Sequence, residues 1–212
     1  MNDNNLFAYN RPEPDFRIPF RVVPSVNDIL SSARTNNSKY SPVTEDVKKW
    51  RKRARARAVE VFKENGFEIS LLSRQLRSKD RFGANKQEYF DGLQNPFFTE
   101  PVACLVCLWR PSNADFDVHN LFVKPIFDGF ADVRLYEKDA VRGFPEMAFS
   151  FEGVDPSLKL TDDERRERKE YQDSFRNRGK EPPRLPLPAK IHFDFYKLSR
   201  LRFGTLFQFE IV

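Results

Sequence analysis

The chain has 212 residues, 40% hydrophobic and 32% charged, with 36 Lys and Arg against 31 Asp and Glu, a net +5. That length fits one large domain or two small ones sharing a core, and the composition excludes a collagen-like repeat or a mostly disordered chain. No apolar run nears the roughly 18 residues of a membrane span, Met-Asn-Asp-Asn-Asn is no secretion signal, and two cysteines make no disulfide framework, so a cytoplasmic chain is expected.

Residues 1–15 are polar, carry two prolines and read as a loose N-terminal arm. Phe16 to Val23 (FRIPFRVV) alternates like a strand, and Pro19 puts it at an edge or a bulge because proline cannot donate to a ladder. Pro24 to Pro42 is a Ser/Asn-rich loop. Lys48 to Arg57 (KKWRKRARAR) holds seven basic residues and no acidic one, so the rest of the chain sums to +5 − 7 = −2. Val47, Trp50, Ala54, Ala58 and Val61 recur three and four apart, one apolar stripe of a helix. Pro42-Val43-Thr44-Glu45 starts it and Asn65-Gly66 stops it, giving about 20 residues and some 30 Å. Lys48, Lys49, Arg51, Lys52, Arg53, Arg55 and Arg57 fall off the stripe, towards solvent. Such a face suits phosphates, whose neutralisation releases counterions.

Residues 69–100, with Arg74, Arg77, Lys79 and Arg81 among the polar positions, read as an insertion with one short helix. Val102 to Trp109 (VACLVCLW) is apolar throughout, as in a strand buried on both faces. Its Cys104 and Cys107 lie three apart, on opposite faces of a strand, which argues against metal or redox use. Glu146 to Val154 is another strand, with Met147, Phe149 and Phe151 alternating. Thr161-Asp-Asp-Glu164 is a capping box opening a charged, solvated helix to about Arg178. Pro182 to Pro188 connects back to Ala189–Lys197, a strand with Ile191, Phe193 and Phe195 on one buried face and His192, Asp194 and Tyr196 on the other. LFQFEIV at the C-terminus pairs as a last strand. The sum is an α+β single domain over 16–212, a mixed sheet with two packed helices and charged insertions at about 69–100 and 155–188.

The chemistry-bearing segment follows the buried strand. Asp115 and Asp117, two apart at a strand end, project the same way if extended and can share one hard divalent cation. Asn120, Lys124 and Asp128 are spaced to line one helix face. A lysine there can neutralise charge developing on a phosphorane-like transition state. Asp139, arriving from the next loop, completes a three-carboxylate nest of the kind that holds metal for phosphodiester cleavage. The competing structural roles are plain: Asp115 can cap a turn, and Asn120 or Lys124 can cap a helix starting at Pro125.

Together these residues resemble the RusA family of Holliday-junction resolvases. The resemblance lies in Asp115-Phe-Asp117, Asn120, Lys124, Asp128-Gly129 and Lys138-Asp139, and also in Val23-Pro-Ser-Val-Asn27, Tyr40-Ser41 with the basic helix, and the Ala189–Lys197 strand. Asn120 stands three positions after Asp117 where the family has it adjacent. In an alternative frame, Asp117 takes the first aspartate's place and His119 the second's. The family's Asp-Asp pair is Lys138-Asp139 here. The resemblance implies a homodimer that nicks four-way DNA junctions symmetrically with Mg²⁺ or Mn²⁺ and needs no small-molecule cofactor. It assigns metal to Asp115, Asp117 and Asp139 and the phosphoryl step to Lys124. Asp128 and Asn120 are supporting residues, and His119 is a proton carrier or a surface histidine. Three other readings remain open: a non-catalytic DNA-binding protein of the same fold, a flap or fork nuclease, and a helix that contacts an acidic protein.

Overall fold

The computed structural model describes residues 12–21, 42–79, 83–112, 121, 123–137, 146–179, 182 and 188–198. In chain order these hold β1 (Phe16–Phe20), α1 (Pro42–Glu64), β2 (Ser70–Lys79), β3 (Asn85–Gly92), β4 (Val102–Arg110), α2 (Lys124–Asp132), β5 (Glu146–Val154), α3 (Asp162–Arg176) and β6 (Lys190–Lys197). Four strands form a mixed sheet in the order β1-β6-β4-β5, antiparallel except for the β4/β5 pair. This is the expected α+β architecture. The expected C-terminal strand and the 24–41 loop lie outside the described residues.

Position in the sheet follows from sequence. Val102 to Leu108 are all buried because β4 has neighbours on both sides and packing on both faces. β1 is an edge strand among the described residues, where Pro19 is tolerated opposite His192. On one face of the sheet, α1 contributes Trp50, Ala54, Ala58, Val61 and Phe62, and α2 contributes Ile126, Phe127 and Phe130. They pack on Phe16, Ile18, Val106, Phe193 and Phe195. Phe127 and Phe130 meet Phe193 edge-on at 5.7 and 5.3 Å, the geometry that ring quadrupoles favour. Truncating such a fully buried ring to alanine costs about 3–5 kcal/mol.

Two expectations need correction. The described residues of 69–100 contain no helix: β2 and β3 pair as an antiparallel hairpin. The hairpin's alternation was hard to see because its inner face mixes Leu72 and Phe90 with Arg74 and Glu88, while Leu71 and Tyr89 point outward, 71% and 63% exposed. This region is also tied into the core. Leu93, Phe97 and Phe98 donate backbone hydrogen bonds to the oxygens of Val133, Arg134 and Leu135 at 3.1, 2.9 and 2.9 Å, and Phe98 is buried.

The second correction concerns β6, which is buried on both faces. Asp194 is fully buried and Tyr196 nearly so. The carboxylate is accommodated because Arg17 donates to both its oxygens, at 2.7 and 2.8 Å. That hydrogen-bonded pairing raises the Arg17 pKa. Cys104 belongs to the helix-side core and Cys107 to the small cluster with Leu105 and Tyr196, on opposite faces as expected.

Candidate functional site

α1 carries the stripe read from sequence, and Ala54 and Ala58 have no exposed surface. Its basic residues divide into three groups. Lys48, Lys49, Lys52 and Arg53 are exposed, with the Arg53 guanidinium 4.9 Å over the Trp50 ring. Arg51 and Arg55 depart from the expected solvent-facing arrangement. Arg51 is half-buried and gives Nε to Asp132 Oδ2 at 2.6 Å, while Arg55 is buried, 6% exposed. Arg57 is partly covered and donates to the Pro19 carbonyl at 2.8 Å and to Glu60 at 2.8 Å.

For Arg51 and Arg55 the cause is a close helix crossing. A Cβ on Gly129 of α2 would stand 2.6 Å from the Arg51 carbonyl oxygen and 2.8 Å from Ala54 Cβ, so only glycine allows this approach. Asp128 and Asp132 flank Gly129 four residues apart, on one face of α2. The crossing therefore brings Arg51 within reach of both acids and Arg55 within 3.7 Å of Asp132. Arg74 reaches Asp132 from β2 at 3.0 Å. Glu88 on β3 accepts from Arg55 and, at 2.6 Å, from Arg74. The Arg55 hydrogen bond is the largest cause holding the Glu88 carboxyl below its ordinary range. Three arginines and three carboxylates thus join α1, α2 and the hairpin. Asp132, Arg74 and Glu88 were not singled out from sequence as partners, because they lie 81, 23 and 37 positions from Arg51 with no local spacing to mark them.

α2 begins at Lys124 with Pro125 in its first turn, one residue before the expected start. Lys124 Nζ lies 2.7 Å from Asp128 Oδ1, and Arg51 lies 3.6 Å from Asp128 Oδ2. Lys124 and Asp128 are therefore brought together, as their spacing implied, and the lysine side chain is 61% exposed. Asp115, Asp117, His119, Asn120 and Asp139 lie outside the described residues. β4 ends at Arg110, just before the segment holding the first four.

Among the described residues, no group of three or more His, Cys, Asp or Glu side chains is gathered as a metal site. Asp128 and Asp132 are engaged by Lys124, Arg51, Arg55 and Arg74, so they are not spare ligands. Asp115, Asp117 and Asp139, the carboxylates that the resemblance assigns to metal, are not among the described residues.

A cleft of about 1300 Å³ opens on the other side of α1, between β1, the start of β6 and the 155–164 segment that leads into α3. Arg53 and Arg57 line it, together with His192, whose pKa is pushed down mainly by burial and then by Arg17. No helix among the described residues is long and apolar enough to cross a membrane. In comparisons with known proteins, no protein family, no curated protein and no solved structure matches this chain.

Proposed function

We propose that this chain is a metal-dependent endodeoxyribonuclease of the RusA kind, acting as a homodimer on four-way DNA junctions in recombination and repair. The observation that carries the reading is Lys124. It opens α2 directly after the carboxylate-bearing 113–120 segment, exposes its ammonium, and sits on a helix docked against the basic α1.

Asp115, Asp117 and Asp139 are the residues that would hold Mg²⁺ or Mn²⁺, which supplies Lewis-acid stabilisation and an activated water when bound. Lys124, oriented by Asp128, offers positive charge where the phosphoryl oxygens gain negative charge. Lys48, Lys49, Lys52 and Arg53 attract the phosphates of a DNA arm. Arg51 and Arg55, engaged with carboxylates, position α2 instead. A two-fold dimer would present the exposed set to opposite arms.

The test is a labelled four-way junction incubated with Mg²⁺ or Mn²⁺, alongside flap and linear substrates. The wild type is expected to nick the junction, Asp139→Asn to abolish nicking, and Lys124→Ala to slow it about a hundredfold while leaving junction binding intact. Junction binding by the wild type without nicking overturns the enzyme reading in favour of a DNA-binding protein. Equal cutting of all three substrates removes the junction preference. An absence of salt-dependent DNA binding leaves only the acidic-protein reading of α1.

A further inference from the structure

We infer that the cleft beside α1 binds one unpaired DNA strand. For its partner class the inference rests on the nucleic-acid reading above. Its own support is the shape and charge of a site that lies away from Lys124 and Asp128.

Among the described residues, six cations line the cleft: Arg21, Arg53, Arg57, Lys159, Arg168 and Lys190. The described lining carboxylates are Glu60, Asp155 and Glu164, so the formal balance of the described lining is 6 − 3 = +3. All three carboxylates already have local partners. Glu60 pairs with Arg57 at 2.8 Å, Asp155 accepts from the Ser157 hydroxyl at 2.5 Å, and Glu164 closes the capping box with Thr161. The acids are thus turned to neighbouring groups, Arg57 is itself held by Glu60 and the Pro19 carbonyl, and the cations come from five separate segments and converge on one space. Convergence from separate segments is what distinguishes a binding site from a charged helix face.

Inside the cleft, a single strand fits more readily than a duplex. A duplex about 20 Å across takes up roughly 1,000 Å³ for each base step, so a space of this size would hold little more than one step. The cleft volume of about 1300 Å³ instead suits a few nucleotides of a single strand, each on the order of 300 Å³. It also exceeds the usual range for a small-molecule pocket, which reaches about 1,000 Å³. The Arg53 guanidinium, 4.9 Å over the Trp50 ring, adds a flat cationic surface to the lining. Such groups can follow a backbone and stack on bases without reading their sequence. At a branched substrate, this is where a strand leaving its duplex would be held.

The experiment is fluorescence anisotropy with a labelled short oligothymidylate and a blunt duplex of equal length, across a salt series. The wild type should prefer the single strand. In the Arg53→Ala/Lys159→Ala/Lys190→Ala variant, single-strand affinity should fall about tenfold, and the slope of log affinity against log salt should shrink by about two. Lys63→Ala/Lys86→Ala, which removes exposed cations outside the cleft, should change that affinity less than twofold. If the triple variant unfolds, Lys159→Gln, at an exposed position, carries the test with a slope change of about 0.7. Unchanged single-strand affinity in the cleft variant, an equal loss in the Lys63/Lys86 control, or tighter binding of duplex than of single strand overturns the inference. Junction nicking is scored separately. Cleft-dependent strand binding without nicking removes the nuclease and leaves the cleft standing, whereas nicking with unaltered strand binding removes the cleft alone.

Discussion

α1 and α3 are both dense in charge, yet they use it differently. In α1 the paired arginines reach far along the chain, Arg51 to Asp132 and Arg55 to Glu88, and Arg55 and Asp132 have side chains only 8% and 7% exposed. In α3 the pairs are local: Arg165 with Asp162, Arg166 with Asp163 and Arg176 with Asp173, each three residues apart and open to water. No residue of α3 is buried. The difference lies in the apolar stripe beneath the charges. Where a stripe docks the helix, nearby guanidinia are drawn out of water and must find carboxylates. Where there is none, charges pair with neighbours in high dielectric and contribute little.

The strongest way to break this contrast is Asp132→Ala. Removing the acid shared by Arg51, Arg55 and Arg74 leaves charge uncompensated in a partly buried site, and a loss of about 3 kcal/mol is expected in urea unfolding. A loss under about 1 kcal/mol would make this network equivalent to a surface pair. Gly129→Ala comes next. Alanine is the better helix former by about 1 kcal/mol, but its Cβ meets the α1 backbone, so a net loss of about 2 kcal/mol is expected. A gain in stability would show that the crossing can relax.

Acid titration sharpens the comparison further. The folded-state pKa of Glu88 is lowered, so its contribution is complete above its unfolded value and is lost as pH falls through the lower folded value. Thermal unfolding between neutral pH and the acid range should show a steeper loss for the wild type than for Glu88→Gln; parallel curves would remove Glu88 from the account. The smallest effects belong to α3. Thr161→Ala removes the cap and should speed hydrogen exchange in the first turn of α3 without moving the global urea midpoint. Arg166→Ala should move neither. A midpoint shift from either would mean that α3 is coupled to the core.

Much of the fold was legible because its signals are local. The α1 stripe, the β4 apolar run, the Thr161 capping box and the edge proline at position 19 each depend on residues a few positions apart. The hairpin was not legible, since its inward positions at Arg74 and Glu88 are charged and interrupt the apolar alternation. Nor was the second buried face of β6, because the buried state of Asp194 depends on Arg17, 177 positions away. At the candidate site, the Lys124–Asp128 pair was readable as a helical spacing. The withdrawal of Arg51 and Arg55 from solvent was not.

The sequence by itself therefore determined α1, α3, the strands of the four-stranded sheet and the segment in which positive charge is concentrated, because periodicity and capping act over short stretches of chain. Only tertiary structure decided which of those charges remain available. The Gly129–Ala54 contact brings α2 close enough for Asp128 and Asp132 to meet Arg51 and Arg55, and desolvation makes that pairing necessary. The withdrawal of Arg51 and Arg55 from the solvent-facing cations is set by that distance between helices, and that of Arg57 by β1 and Glu60.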